Sequence, residues 1–418
     1  MIARRGAGIR PAVPQLRRGA PPVRRLVPIL ALVALLAAGC AGAPILANPP
    51  LAFPAPAITA PPASPPPDPV AITFPRDDGP HDRLTEWWYY TGHLHTATGR
   101  RFGFEAVIFR AERSAVPTAW ASHLALTDEQ GNVFHYAQRS EVGPQVDHSP
   151  RDANGDAAGF DLRITGLSPA LVAGGAPTAG SPWTLAGSDG TDHIEAALTD
   201  AEAAAAGASF GLTLDLRAEK PPAAHDDDGF VDFGPAGSSY YYSRTRMAAS
   251  GQLQLDGQAM AVDGIAWFDH QWGDFVSVGG GWDWFAMNLS NGVDITLSVV
   301  RDANGKPVLV YGTEVAADGS ARRLDGSDFS VDATGTWTSP HTGRTWPSGW
   351  RVTLGDITLD LTPTVDDQEL DTRATTGVAY WEGSQRVDGR RRVTEGHQPA
   401  VEYLGGEAYV ELTRYTTP

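Results

Sequence analysis

The sequence is poor in cysteine and in positive charge. A single Cys among its 418 residues excludes an intramolecular disulfide and a cysteine-cluster metal site. The 32 Lys and Arg are outnumbered by 49 Asp and Glu, and the formal net charge of −17 argues against nucleic acid as a partner. Neither a P-loop nor a His-Glu-x-x-His motif occurs, so nucleotide chemistry is disfavoured and no metal is assigned.

The chain nevertheless has enough apolar material for folded cores, because 42% of its residues are hydrophobic. Its length predicts two or three domains. The 46 Gly, 33 Pro and 12 Trp favour short strands joined by turns over helices.

The first forty residues have the pattern of an export signal. Residues 1–39 contain seven Arg, no acidic residue and the apolar run 26–36, and small residues directly precede Cys40. The run is too short to span a membrane comfortably. We predict a bacterial lipoprotein signal peptide, which leaves Cys40 as the lipid-bearing N-terminus and anchors the exported protein to the cell envelope. An ordinary secretory signal with a chance cysteine and an uncleaved anchor are the alternatives.

The next segment, 40–73, is predicted to be a tether. Eleven prolines lie between Pro44 and Pro69, and such a segment favours extended polyproline conformations over a packed core. Removal of the signal leaves 25 basic and 49 acidic residues, which is a formal net charge of −24.

Short alternating or β-branched runs bounded by turn residues predict strands after Phe74. The clearest runs span 102–110, 211–217, 293–300 and 351–361. The alanine-rich segment 196–207 is the one stretch whose pattern predicts a helix. We therefore predict an all-β fold of antiparallel barrels or sandwiches.

Two parts of this region resemble each other. Stretches that begin at Trp88 and at Trp284 each run from aromatic residues through a turn into an apolar strand. Residues 262–270 likewise match 404–412.

The repeat predicts two homologous β-domains, 74–277 and 278–418, the first enlarged by the middle segment 140–235. Features present in both copies are expected to be architectural. His270 and Trp272 occur in the first copy alone, which makes them candidates for chemistry.

One candidate cluster is the segment 86–95. Strand alternation divides its side chains between two faces, with Glu86, Trp88, Tyr90 and Leu94 on one and Trp87, Tyr89, His93 and His95 on the other. Among aromatic residues Glu86 is expected to be desolvated, which would raise its pKa and make it a proton donor. Its alternative is a carboxylate that caps a turn. His93 and His95 could bind a metal, or be ordinary surface or hydrogen-bonded histidines.

The second cluster spans 265–274 and is followed by aromatic residues at 282–285. A histidine and carboxylates among aromatic rings can act as acid and base in a cavity of low polarity. Asp269 and His270 point to opposite faces of a regular strand, so one of them faces a given cavity unless a bulge intervenes. Glu411 replaces Asp269 in the second copy, which leaves a structural role open for Asp269.

An ordered set of motifs resembles the carotenoid 1,2-hydratase (hydroxyneurosporene synthase) family and its AttH-type secreted relatives, many of them labelled predicted secreted hydrolases. The motifs are EWWYYTGHL at 86–94, YYYS at 240–243, GIAWFDHQWGDF at 264–275, WDWF at 282–285, YWEG at 380–383 and EAYVEL at 407–412. The resemblance covers the chain from about residue 74 to the C-terminus. It implies two tandem lipocalin-like β-barrel domains.

The resemblance also implies addition of water to an alkene of an isoprenoid or another hydrophobic small molecule, without a cofactor. His270 and Trp272 match the family's His-x-Trp pair, while Asp269, Asp274, Asp283 and Glu86 are all candidates for the acid. The substrate and its cation would lie against aromatic side chains. The expected substrate-binding residues are Trp87, Trp88, Tyr90, Tyr241, Trp267, Trp282 and Trp284.

Two alternatives remain open at this stage. One is a membrane-tethered protein that binds a hydrophobic ligand without catalysis. The other is a secreted hydrolase, in its metal-assisted form using His93, His95, His270 and Asp269.

Overall fold

The computed structural model describes residues 68–113, 116–176, 180–275, 279–395 and 398–414. The predicted signal peptide, Cys40 and most of the predicted tether lie outside these residues. Within the described ranges, no helix has both the length and the hydropathy needed to cross a membrane.

The first of two antiparallel sheets runs from residue 85 to residue 275. Its strands are β1 (Thr85–His95), β2 (Arg101–Arg113), β3 (Val116–Asp128), β4 (Val133–Val142), β5 (Phe160–Ile164), β6 (Trp183–Ser188), β7 (Thr191–Ala197), β8 (Phe210–Ala218), β9 (Ala223–Ala224), β10 (Phe230–Asp232), β11 (Gly237–Leu255) and β12 (Gln258–Phe275). The strand order is β4-β3-β2-β1-β12-β11-β8-β7-β6-β5, and β9 and β10 also pair with β11. A bridge between Arg139 and Leu167 brings the two edges together, so the sheet is nearly closed.

The second sheet runs from residue 279 to residue 414. Its strands are β13 (Gly279–Leu289), β14 (Asp294–Asp302), β15 (Pro307–Val315), β16 (Ala321–Asp325), β17 (Phe329–Thr338), β18 (Thr345–Leu354), β19 (Ile357–Pro363), β20 (Glu369–Asp371), β21 (Ala379–Glu395) and β22 (Gln398–Arg414). The strand order is β16-β15-β14-β13-β22-β21-β19-β18-β17, and β20 pairs with β21. The prediction of an all-β protein with two antiparallel barrel-like sheets is confirmed.

In the part of the chain that the structure describes, the α-helices are short and come before strand β8. They are α1 (Pro169–Ala173) and α2 (Asp200–Ala206), with single 3-10 turns at Arg76–Asp78, Pro144–Val146 and Gly234–Ala236. The helix predicted over 196–207 begins later than expected, because Thr199 and Glu202 form a capping box at its start. The residues before it complete strand β7.

The run 351–361 is not one strand, as the alternation suggested, but a hairpin. Gly355 adopts a φ of 57°, which an L-residue with a side chain rarely adopts, and a two-residue turn there joins β18 to β19. Because both arms alternate, the turn is hidden in the sequence pattern.

The central strands of both sheets are buried on both faces. In β1, Trp88 and Tyr90 belong to the core inside the first barrel, whereas Tyr89 packs with Trp284 and Tyr409 of the second sheet. The sheets approach so closely that a Cβ at Gly103 would lie 2.7 Å from the Cβ of Ser384. Glycine at this position therefore allows the two outward faces to pack.

Strand pairing corrects the alignment of the repeat by one residue. Trp88 pairs with His270, and Trp284 pairs with Glu411, the residue one place before the counterpart of His270. The position equivalent to Trp88 is therefore Asp283. A slip of one residue turns a side chain to the opposite face, which is why Trp88 lies inside a barrel and Trp284 lies between the two.

Arg139 stabilises the closure of the first barrel. Its guanidinium binds the Glu202 carboxylate at 2.7 and 3.0 Å, and both side chains are fully buried. We expect Arg139→Ala to lower the free energy of unfolding by about 3–5 kcal/mol, because Glu202 would remain as an uncompensated buried charge. Urea denaturation measures this effect.

The control is Arg163→Ala, which removes an ion pair to Asp161 from the surface of the same sheet. We expect a loss of about 0–1 kcal/mol, as is usual for exposed pairs. Equal losses in the two variants would contradict the structural role of Arg139.

Candidate functional site

A cavity of about 350 Å³ lies between the outward faces of the two sheets. Aromatic residues of both sheets line it, together with four acidic residues, Glu105, Asp232, Asp269 and Glu411. The lining includes Trp87, Tyr89, Glu105, Phe109, Tyr241 and Asp269 from the first sheet and Trp282, Trp284, Tyr311, Tyr380 and Glu411 from the second. The volume and the apolar wall are those of a site for a small hydrophobic molecule.

Asp269 lies in β12 and is held by three donors. Tyr241 donates to Oδ2 at 2.6 Å, the indole of Trp267 donates to Oδ1 at 2.6 Å, and the Ser243 hydroxyl also donates to Oδ1. Burial raises the pKa of Asp269 to about 6, although these hydrogen bonds favour its ionised form. Asp269 is therefore mostly ionised at neutral pH.

Glu411 lies in β22 and reaches the cavity from the opposite sheet. Both of its hydrogen-bond donors, Trp282 at 3.0 Å and Thr413 at 2.8 Å, bind the same oxygen, Oε1. Burial raises the pKa of Glu411 to about 7, and the nearby charge of Asp269 adds to the effect. Glu411 can therefore carry a proton near neutrality.

Two further buried carboxyls accompany this pair. Tyr380 donates to Glu105 at 2.7 Å, and Tyr89 donates to Glu382 at 2.7 Å. Each hydrogen bond joins one sheet to the other. Burial raises the pKa of both Glu105 and Glu382, so a group of acids that prefer to be neutral lies between the sheets.

A chain of hydrogen bonds runs from Thr313 through His225 and Ser243 to Asp269 and fixes the position of its carboxylate. Nε2 of His225 lies 2.7 Å from the Ser243 oxygen, and Nδ1 lies 2.8 Å from the Thr313 hydroxyl. Because Ser243 gives its single proton to the carboxylate, His225 donates to Ser243. Burial lowers the pKa of His225 to about 3, which keeps the imidazole neutral.

The structure separates the residues selected from the sequence into two groups. Those at the cavity are Asp269, Trp87, Tyr241, Trp282 and Trp284, and Trp267 joins them by its hydrogen bond to Asp269. The second group, inside the first barrel, consists of His270, Trp272, Glu86, Trp88 and Tyr90. Asp269 and His270 thus lie on opposite faces of β12, as strand alternation requires.

The other candidate acids and histidines lie elsewhere. Asp274 binds Arg83 at the surface. Asp283 binds Arg301 on the face of β13 that points away from the cavity. His93 lies against Tyr409, and His95 forms an exposed pair with Asp263. The structure brings none of these four candidates to the cavity lining.

Glu86 is buried in the first barrel, but the expectation that its pKa rises is wrong. Oε1 of Glu86 lies 2.7 Å from Nδ1 of His81 and 3.0 Å from Nε2 of His270. Burial alone would raise the pKa, but the nearby charge of His81 and the contacts with both imidazoles lower it to about 2. Glu86 is therefore ionised and is no proton donor near neutral pH.

Sequence reasoning missed several residues at the cavity and in its support. They include Tyr89, Glu105, Phe109, His123, His225, Tyr311, Tyr380, Glu382 and the role of Glu411. The internal repeat could have pointed to Glu411 as a cavity residue, since Glu411 and Asp269 occupy equivalent positions in the two copies. Two equivalent acids converge when the duplicated domains pack through equivalent faces.

The raised pKa values predict a pH dependence of stability. Since the folded pKa of Glu411 lies above its ordinary value, its contribution to the free energy of unfolding is complete below about pH 4.5 and is lost as the pH rises through 7. We expect the wild type to lose roughly 1–3 kcal/mol more than Glu411→Gln between pH 5 and pH 8. Urea denaturation at the two pH values measures the difference.

Glu402→Gln is the control, because Glu402 lies in the same strand as Glu411, β22. Its carboxylate forms a partly exposed ion pair with Arg391 of β21. The control variant should retain the wild-type pH dependence. If Glu411→Gln also retained the wild-type pH dependence, the result would contradict a raised pKa for the buried Glu411.

Similarity to known proteins agrees with this architecture. A crystal structure of a candidate AttH from Nitrosomonas europaea is 28% identical, with a TM-score of 0.65 over 83% of this chain and 98% of that one. Kievitone hydratase from Nectria haematococca shares the fold at 16% identity, with a TM-score of 0.56 over 83% and 94% of the two chains. No curated protein sequence matches the chain. The AttH-like family, however, matches residues 65–415, and the chain therefore belongs to that family.

Proposed function

We propose that the cavity between the barrels binds the alkene of an isoprenoid or a similar hydrophobic molecule and catalyses the addition of water. The observation that carries this proposal is the pairing of Glu411 and Asp269, two carboxyls with pKa values of about 7 and about 6, on one aromatic cavity. Acid and base roles are often divided between two such groups in different surroundings.

Glu411 serves as the acid. Both donors bind Oε1, so a proton on the other oxygen, Oε2, interferes with neither of these hydrogen bonds. A pKa near the working pH is the condition under which a group both holds a proton and gives it up readily. Transfer of this proton to one alkene carbon leaves a cation on the other.

Asp269 serves as the base. Hydrogen bonds from Tyr241, Trp267 and Ser243 keep it ionised and fix its position. Its negative charge stabilises the cation, and it takes a proton from the water that adds to the cationic carbon. The product gains one H₂O, and return of the proton from Asp269 to Glu411 restores the starting state.

The aromatic wall stabilises the cation between these two steps. Trp87, Tyr89, Trp282 and Trp284 all line the cavity, and a ring face attracts a desolvated cation by about 2 kcal/mol. A volume of about 350 Å³ is near the lower end of ligand sites, which suits a small molecule or one end of a longer one.

The comparisons support this class of reaction. Kievitone hydratase, whose name denotes water addition, has the same fold, although the low identity transfers the fold alone. The chain's membership of the AttH-like family leaves the substrate open.

The hydrolase alternative finds little support in the serines. Ser243 lies beside His225 but gives its proton to Asp269, the reverse of an activated nucleophile. The segment 207–211 matches Gly-x-Ser-x-Gly, yet a helix precedes it and a strand follows, whereas a nucleophile elbow joins a strand to a following helix. Water addition is therefore preferred.

The test incubates the protein with prenyl and acyclic isoprenoid alkenes and measures, by mass spectrometry, products heavier by one water. We expect Glu411→Gln and Asp269→Asn each to lower the rate by about 10²–10⁴-fold, the usual contribution of a general acid or base.

Asp192→Asn is the matched control, because Asp192 is also a buried carboxyl with a pKa raised to about 7 but lies inside the first barrel beside Tyr90. It should leave the rate unchanged. Full activity of both cavity variants would contradict the proposal, and tight binding of the alkenes without turnover would favour the non-catalytic alternative.

We also propose that the protein works as an exported lipoprotein attached through Cys40. The basic and apolar residues before Cys40, and the prolines after it, support this placement. In bacterial cells fed a labelled fatty acid, the wild type should incorporate label and sediment with membranes. Cys40→Ser should lose both properties, and retention of the label would contradict the proposal.

A further inference from the structure

We propose that His81, Glu86 and His270 form a binding site for a divalent transition-metal ion of the Zn²⁺ class. The site lies inside the first barrel, on the face of β12 opposite the cavity, and it is independent of the proposed hydration chemistry. The ligand atoms are Nδ1 of His81, Oε1 of Glu86 and Nε2 of His270, all within 4.8 Å of one another.

Three separate elements bring these atoms together. His81 follows the 3-10 turn at Arg76–Asp78, Glu86 lies in β1, and His270 lies in β12. Strands β1 and β12 are paired neighbours, so Glu86 and His270 share a face. An ion bound here would tie the segment before β1 to the barrel.

Each histidine has the outer partner that a metal ligand needs. Nδ1 of His270 lies 3.0 Å from the backbone carbonyl of Asp77, and Nε2 of His81 lies 3.3 Å from the Asp77 carboxylate. Since both partners only accept hydrogen bonds, these nitrogens carry the protons. Metal-binding histidines typically donate their second N–H to a carboxylate or a carbonyl in this way.

The consequence is a convergence of three ligand atoms. Nδ1 of His81 and Nε2 of His270 both face the same Glu86 oxygen, at 2.7 and 3.0 Å, and a bound ion would replace the proton that His81 shares with that oxygen. A single proton can satisfy one of these two contacts. A divalent cation satisfies both, because all three atoms can donate electron pairs to it.

The geometry leaves room for such an ion after a small adjustment. Bonds of about 2.0–2.1 Å at tetrahedral angles separate neighbouring ligand atoms by about 3.3 Å, so the two histidine nitrogens, which lie 2.7 and 3.0 Å from Oε1, need to move away from that oxygen by less than about 1 Å. The other Glu86 oxygen is already held by the backbone N–H of His81, which leaves Oε1 free for the ion.

The surroundings fix the ligands and leave one side open. His81 stacks on Trp272 at 4.1 Å and His270 on Trp88 at 4.7 Å, which orients both rings. Glu86 and His270 are fully buried, but 19% of the His81 side chain is exposed. Metal and a water molecule as fourth ligand can enter from that side. Two imidazoles and one carboxylate are ligands that suit Zn²⁺ and related ions.

Metal binding by the full-length protein tests the site. Protein stripped with a chelator is titrated with Zn²⁺ by calorimetry and with Co²⁺ by visible absorption. We expect one equivalent to bind, with the ligand-field bands of four-coordinate Co²⁺. His81→Ala should lower the affinity by about 100-fold or more, and Asp77→Asn, which alters an outer partner, by about 10–100-fold.

His95→Ala is the control, because His95 lies in the same strand as Glu86, β1. It is half exposed and forms an ion pair with Asp263 of β12. The control variant should bind metal like the wild type. Thermal unfolding without metal checks that each variant is folded. If His81→Ala does not fold, His81→Gln replaces it.

Failure of the wild type to bind either ion, or wild-type affinity in a folded His81 variant, would overturn the proposal. The hydration assay is repeated with protein from which a chelator has removed the metal. Loss of metal binding and loss of turnover can therefore be told apart.

Discussion

The central strands of each sheet are buried on both faces, because one face lines a barrel and the other packs against the second sheet. A lone barrel would expose its outward carboxyls to water. Here the packing of two outward faces places Asp269, Glu105, Glu382 and Glu411 together in a region of low polarity. Since burial disfavours the charged form, these acids retain protons at a pH at which surface acids do not.

This constraint also separates two kinds of chemistry along one strand. Asp269 and His270 are adjacent in β12, yet the first faces the cavity and the second faces the barrel interior. The cavity side offers an acid, a base and aromatic rings, which suits the passage of a cation. The interior side offers two histidines and an ionised carboxylate around one point, which suits a bound ion. Strand alternation thus lets neighbouring residues serve separate sites.

Much of the fold could be predicted from the sequence because it is encoded locally. Alternation in the segment 86–95 gives the correct faces without any knowledge of tertiary contacts. The turn at Gly355 could not be placed, since both arms of the hairpin continue the same pattern. The alignment of Trp88 with Trp284 was off by one residue, because aromatic residues occur at successive positions and pairing partners are needed to fix the register.

The site was harder to predict, since it depends on how two domains meet. Treating shared residues as architectural moved attention from Asp269 and Glu411 to His270. That reasoning fails when equivalent faces of a duplication pack together, because equivalent residues then line one cavity. His81 was missed for a different reason: it lies in an irregular segment without periodicity, and strand pairing brings its partners to it.

Infrared spectroscopy of carboxyl groups between pH 5 and pH 9 tests the central claim most directly, because protonated and ionised carboxyls absorb at different frequencies. The account predicts a protonated carboxyl band that persists at pH 6, titrates around pH 7 and is reduced in Glu411→Gln. Absence of any protonated carboxyl band between pH 5 and pH 9, or an unchanged band in that variant, would contradict it.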